Sequence, residues 1–184
     1  MSPLYIALVH YPIKDKTGAT ITTSVTNLDV HDLPRSARAF DVKATYLVNP
    51  ITAQRAVVDH ILTHWTEGDG RFRVPKRVEA LARARCVALV DDAVADITER
   101  EGQAPRILAT AASGDHPVIG WAEGRAQLET QTQPTLILFG TGHGLADEVL
   151  SSVDAVLAPI RANRWNHLSV RSAVAITLDR LVGQ

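Results

Sequence analysis

Thr135-Leu136-Ile137-Leu138-Phe139-Gly140-Thr141-Gly142-His143-Gly144-Leu145 is the stretch on which the fold turns. An apolar, β-prone run leads straight into three alternating glycines, and Leu145-Ala146-Asp147-Glu148-Val149-Leu150 continues as a helix. Strand, glycine turn and helix in that order let backbone approach a ligand closely, with N–H groups at the helix start free to meet an anion or a carboxylate. The same order also describes a tight turn that needs glycine only for positive φ. The spacing is not the G-x-G-x-x-G of dinucleotide sites, and no Lys-Ser or Lys-Thr pair closes it as in a P-loop.

Outward from this stretch, short apolar runs recur at Tyr5–Val9, Thr45–Val48, Val87–Val90, Arg106–Ala109 and Ala155–Leu157. Helical spacing fills the intervals, as from Ala53 to Trp65, Val78 to Ala84 and Ala93 to Arg100, with Thr52 and Asp91 or Asp92 as cap candidates. Strands alternating with helices predict an α/β fold with a parallel sheet covered on both faces. No repeat or linker divides the 184 residues, so a single domain over 1–184 is expected. His10 to Asn27 is long and turn-rich, and reads either as a functional loop or as a small hairpin around Gly18.

The net charge of −1 supplies no overall field toward nucleic acid or membrane, so any polyanion site must be a local cluster. No apolar run is long enough to span a membrane and no signal-peptide pattern opens the chain, which makes a cytoplasmic protein the expectation. Cys86, the single cysteine, lies in an apolar run and reads as a core thiol. His60 and His64 stand four apart on a predicted helix, but no third ligand is near in sequence, so no metal site is expected.

Beyond the glycine turn, Leu157-Ala158-Pro159-Ile160 is a strand stopped by proline, followed by the polar run Arg161–His167. The apolar-periodic helix Val170–Val182 closes the chain, and Asn166 or Ser169 can cap it. Asn166, His167, Ser169, Arg171 and Ser172 crowd its start, more polar groups than one cap requires.

The ordered set Leu138–Leu145, Leu157–Ile160 and Asn166–Ala173 resembles the three signature segments of SPOUT methyltransferases. More narrowly, with His10-Tyr11-Pro12 and Thr26–Asp32, nearly the whole chain resembles a bacterial family of stand-alone SPOUT proteins described as S-adenosylmethionine-dependent RNA methyltransferases. The resemblance implies a three-layer α/β sandwich whose C-terminal part, about residues 105–184, forms a deep trefoil knot. It also implies S-adenosylmethionine held in a bent form by the knot loops. Adenine recognition would fall to Leu157, Ala158, Pro159, Ile160, His167 and Leu168. Gly140 and Gly142 would flank the ribose and methionine parts, beside Phe139, Thr141 and Ser172, with Thr110 and Ala111 covering the other side. This chain has His143 where many members of the wider class carry an acid.

Asn27-Leu28-Asp29 followed by Leu33–Phe40 resembles the first motif of the ribose-methylating SPOUT branch, in which an asparagine and an arginine opening a helix approach the target nucleotide. Arg35 takes that arginine's place, and Val30-His31-Asp32 replaces the usual glycine-containing turn. A guanidinium can hold a phosphate or lower the pKa of an acceptor hydroxyl. The catalytic candidates are Arg35, Asn27, Asp29 and His31, assisted by Ser169 and Arg171. The implied substrate is a tRNA or rRNA, methylated on a base nitrogen or a ribose oxygen, and the implied assembly is a homodimer with the last helix near the interface. Arg71, Arg73, Lys76, Arg77, Arg83 and Arg85 form the one strongly basic stretch, either an RNA footprint with Phe72 stacking on a base, or a solvated cationic face. Two other functions remain open at this point: a non-catalytic cofactor- or RNA-binding SPOUT module, and an unknotted α/β enzyme with a nucleotide at the glycine loop.

Overall fold

A computed structural model describes residues 1–112, 117–161 and 165–183. Its centre is a seven-stranded sheet in which all the named pairings are parallel. In chain order the strands are β1 (Leu4–Val9), β4 (Ala44–Val48), β5 (Ala84–Val87), β6 (Arg106–Thr110), β7 (Val118–Ile119), β8 (Thr135–Gly140) and β9 (Ala155–Leu157). Across the sheet they run β5-β4-β1-β8-β6-β9-β7. All six residues of β1 are buried, as a central strand covered on both faces requires, which explains its unbroken apolar run.

Two clusters of side chains flank the sheet. Leu4, Ile6, Leu8, Ile137 and Phe139 face α1 (Asn27–Ala39), α2 (Thr52–Thr66), α5 (Trp121–Thr130) and α7 (Val170–Val182). Tyr5, Ala7, Val9, Leu136 and Leu138 face α4 (Val90–Glu101) and α6 (Asp147–Ser152). The alternation along β1 and β8 therefore divides one sheet between two helical layers. Each fully buried Leu or Ile in these clusters contributes roughly 1.5–3 kcal/mol of transfer free energy. The expected parallel α/β sandwich is the observed one.

Local boundaries differ in instructive ways. The strand expected at Val87–Val90 lies at Ala84–Val87, because pairing with β4 sets Thr45 beside Ala84 and Val48 beside Val87. Val90 then opens α4, whose Asp92 carboxylate accepts from the N–H groups of Ala88 and Leu89. Thr52 is the first residue of α2 and makes no cap; Ile51 precedes it without a side-chain hydrogen bond. The helix expected from Val78 to Ala84 is α3 (Pro75–Leu81), with proline in its first turn, where its missing N–H costs nothing. The stretch after His10 holds a hairpin, with β2 (Ile13–Lys14) antiparallel to β3 (Thr20–Ile21) and Gly18 at φ +86° between them. Helix α1 begins at Asn27, capped by Thr26, and Pro34 lies inside it. Arg35 therefore stands in mid-helix and does not open one, since the hydroxyl of Thr26 already supplies the start signal.

Candidate active site

The carboxyl ends of β1, β6, β8 and β9 point to one side, the place where parallel α/β sheets bind ligands. There the chain encloses a cavity of about 480 Å³, within the usual range for small-molecule sites. Its floor is Phe139, with Gly140–Leu145 along one wall. A Cβ on Gly140 would lie 2.6 Å from the Leu145 nitrogen, so the turn closes only with glycine there. Gly142 and Gly144 have φ of +58° and +102°.

The hairpin straps this glycine turn. Lys14 N–H donates to the Gly144 carbonyl at 2.9 Å, and His143 N–H donates to the Lys14 carbonyl at 3.1 Å. Lys14 Nζ lies 2.7 Å from Asp147 Oδ1 at the start of α6. Behind the turn, the Thr141 hydroxyl is 2.5 Å from that of Thr23, which is 2.9 Å from Nδ1 of the buried His10. Burial pushes the His10 imidazole down to about 4 despite the opposing carboxylate of Asp29, so the ring is neutral near pH 7. His10 and Thr23 thus act on the cavity wall at second hand.

Two further turns complete the cavity. After β9, Ala158 and Ile160 reach it. Ala158 N–H donates to Ile119, and the Arg180 guanidinium donates to the Ile160 carbonyl at 3.1 Å while lying 4.9 Å over the Trp121 ring. Asn166, His167 and Leu168 form the third turn, and the Asn166 amide donates to the carbonyl of Ala112. Thr110 and Ala111 close the side formed by β6, and Val170, Ala173 and Thr177 of α7 supply the apolar back.

Ten of the expected cofactor-binding residues therefore line one cavity: Thr110, Ala111, Phe139, Gly140, Thr141, Gly142, Ala158, Ile160, His167 and Leu168. Three do not. Leu157 is buried and faces Gly124 of α5, Pro159 is absent from the lining, and the Ser172 N–H and hydroxyl are engaged with the capping Ser169. Trp121 and Lys14 were missed. No local motif marks either, because each reaches the cavity from an element distant in sequence. The Ala162–Arg164 part of the expected polar loop lies outside the described residues.

Beside the cavity, α1 packs on the start of α7. Arg171 approaches Asp29 at 4.0 Å and Asp32 at 3.8 Å, and Arg35 pairs with Asp32 at 3.3 Å. The structure thus brings Arg35, Asp29 and Arg171 into one network, with exposed Asn27 at the head of α1 and Ser169 capping α7. His31 lies at the edge of this network, within electrostatic reach of Asp32 and Arg35, with its ring turned to α2. That ring meets Trp65 edge-on at 5.7 Å, and burial, then Arg77, lowers its pKa. The basic stretch divides too: Arg83 donates to the Val42 carbonyl and Arg85 approaches Asp96, so both serve the fold. Burial pushes the Cys86 thiol up to about 12, which keeps it protonated. Among the described residues no group of three or more His, Cys, Asp or Glu is placed to hold a metal ion. No helix among them is long and apolar enough to cross a membrane.

Comparison with known proteins bears on the family and the fold. A family model described as SAM-dependent RNA methyltransferase matches residues 3–183. Two curated proteins named tRNA (guanine-N(1)-)-methyltransferase, from Oleidesulfovibrio alaskensis and Nitratidesulfovibrio vulgaris, are 44% and 46% identical over 98% of this chain. The chain spans 42% of the length of each. Among solved structures, TrmJ from Z. mobilis ZM4 superposes with a TM-score of 0.62 at 16% identity, covering 100% of this chain and 70% of that one. The A. aeolicus TrmH/SpoU tRNA modifying enzyme does so with 0.56 at 15% identity, covering 98% and 74%. At such identities the likeness is one of fold, and the fold is that of the SPOUT methylases. The match along nearly the whole sequence goes further: the chain belongs to the SAM-dependent RNA methyltransferase family.

Proposed function

We propose that this chain transfers a methyl group from S-adenosylmethionine to a nucleotide of a structured RNA, with tRNA the favoured class. The observation that carries the reading is the convergence of three turns, at 140–144, 158–160 and 166–168, on one cavity. The close approach at Gly140 is to Leu145 and Gly144 of its own turn, which fixes the shape of that wall of the cavity. The tRNA preference rests on the names of the two curated relatives, whose guanine-N1 activity describes proteins more than twice as long and is not carried over.

The residues fit the cofactor. Gly140, Thr141 and Gly142 would hold its ribose and methionine parts, and Ala158, Ile160, His167 and Leu168 its adenine, with Thr110 and Ala111 opposite. When bound, S-adenosylmethionine supplies an electrophilic methyl on a sulfonium. Arg35 and Arg171 hold the acceptor's phosphate or favour its deprotonated form, while Asn27, Asp29 and Ser169 position it. We read 1–184 as one domain with a knotted C-terminal part. What supports the knot is that β9 pairs with β6 on one side and β7 on the other, while the segment before α7 returns to Ala112. A homodimer is proposed because Trp165 stands exposed just before α7, and the cytoplasm is the compartment such a substrate implies.

Calorimetry with S-adenosylmethionine and its demethylated product tests the cofactor half, and methyl-labelled cofactor with total RNA tests transfer. Binding followed by label in tRNA is expected. Binding without label would leave a non-catalytic module, and absence of binding would end the proposal.

A further inference from the structure

We propose that the 3-10 turn Asp69–Phe72 and the start of α3 form a landing surface for a single-stranded RNA segment, with Phe72 as the platform for one unpaired base. The inference rests on the proposed RNA substrate for its polyanion. Phe72 is 73% exposed, an unusual setting for a phenylalanine, and Val74 beside it is also exposed. The Arg71 guanidinium lies 4.4 Å from the Phe72 ring centre. Among the described residues, Arg71, Arg73 and Lys76 make no ion pair, whereas Arg38, Arg85 and Arg100 are matched to carboxylates. A chain of net charge −1 that leaves three cations unmatched around an exposed ring has there the local cluster a polyanion requires.

The turn is seated firmly. A Cβ on Gly70 would lie 2.8 Å from the His64 carbonyl oxygen and 2.9 Å from the Trp65 ring, so the turn is pressed against α2. Exposure of Phe72 is thus presented by packing.

The surface is also continuous with the site. From Val170 on the cavity wall, Arg171 reaches Asp32, which pairs with Arg35 on α1. His31, one residue before Asp32, meets Trp65, over whose ring Arg77 lies at 4.6 Å. Arg77 belongs to α3, whose first residues follow Phe72. A strand laid along this belt would place phosphates on cations and a base on the ring, while its target nucleotide reaches the cavity. The ring favours unpaired bases, because a paired base offers no free face.

Fluorescence anisotropy with a short labelled oligoadenylate and with bulk tRNA tests the idea, alongside cofactor calorimetry on the same preparations. Phe72→Ala should weaken oligoadenylate binding about tenfold, and Phe72→Trp should retain it. Arg71→Gln with Arg73→Gln should reduce the salt dependence of binding by roughly 1.4 in log–log slope. Cofactor affinity should stay unchanged in all variants. Failure of the wild type to bind RNA overturns the proposal, as does Phe72→Ala binding within twofold of it. So does a parallel loss of cofactor affinity, which would mark a disturbance of folding. Absence of cofactor binding by the wild type would instead defeat the methyl-transfer reading and leave the RNA measurement readable.

Discussion

The cavity at the carboxyl end of the sheet and the helical face formed by α1, α3 and the start of α7 are neighbours built on opposite terms. The cavity is shaped by three turns whose amides and carbonyls are tied to one another and to neighbouring elements, with the side chains of Phe139, Trp121 and α7 between them. The helical face is made of long side chains, chiefly Arg35 and Arg171 on the half-exposed Asp32, with Arg171 also 4.0 Å from the buried Asp29. Backbone sites are stiff and tolerate few substitutions at their close approaches. Surface ion pairs are weak, so the second region can exchange an internal partner for a phosphate at small cost. The proposed methyl transfer would use both behaviours, a rigid seat for a cofactor and an adaptable seat for an RNA.

The contrast can be broken most severely at Gly140. Gly140→Ala puts a Cβ into the Leu145 nitrogen, and a loss of roughly 3 kcal/mol in cofactor binding, about a hundredfold, is expected by calorimetry. Wild-type affinity in that variant would show that the close approach is not needed. Nearly as large is an acid effect behind the same turn. The folded state holds the His10 pKa below its ordinary 6.5, at about 4, so stability is complete above pH 6.5 and declines as the pH falls toward 4. The expected loss is ~2–3 kcal/mol, read as falling melting temperature, and His10→Gln should flatten the profile.

On the helical face the effects should be smaller and of another kind. Arg35→Ala should slow methyl transfer about tenfold or more, while cofactor affinity changes less than twofold and stability by under about 0.5 kcal/mol. Equal losses of transfer and cofactor affinity would erase the distinction between the two regions. Ser169→Ala removes the hydroxyl that accepts from Ser172 N–H and should lower stability by about 1 kcal/mol in chemical denaturation.

The cavity was far more legible in sequence than the helical face. The glycine turn at Gly140 and Gly142 is a local property written in a few adjacent residues, whereas Ala158, Ile160, His167 and Leu168 were assigned only through the resemblance to SPOUT proteins. Leu157 packs on Gly124 and Ser172 engages the capping Ser169, contacts made with other elements or along the helix that the segments' own sequence does not mark. Trp121 and Lys14 carried no signal, for they arrive from the head of α5 and from the hairpin. Arg83 and Arg85 stand in the basic stretch of the sequence, but Arg83 donates to the Val42 carbonyl and Arg85 approaches Asp96, partners that only the folded chain supplies.

By itself the sequence determined the alternation of strand and helix, the buried central strands, and the three ordered turns, all of which follow from periodicity and from residues with restricted backbone freedom. Only the tertiary structure decided that β8 lies between β1 and β6, that the His10–Thr23 pair braces the glycine turn, and that Arg171 meets Asp29 and Asp32 across two helices. Such pairings join residues more than a hundred positions apart or depend on how packed layers meet, and no local pattern encodes them.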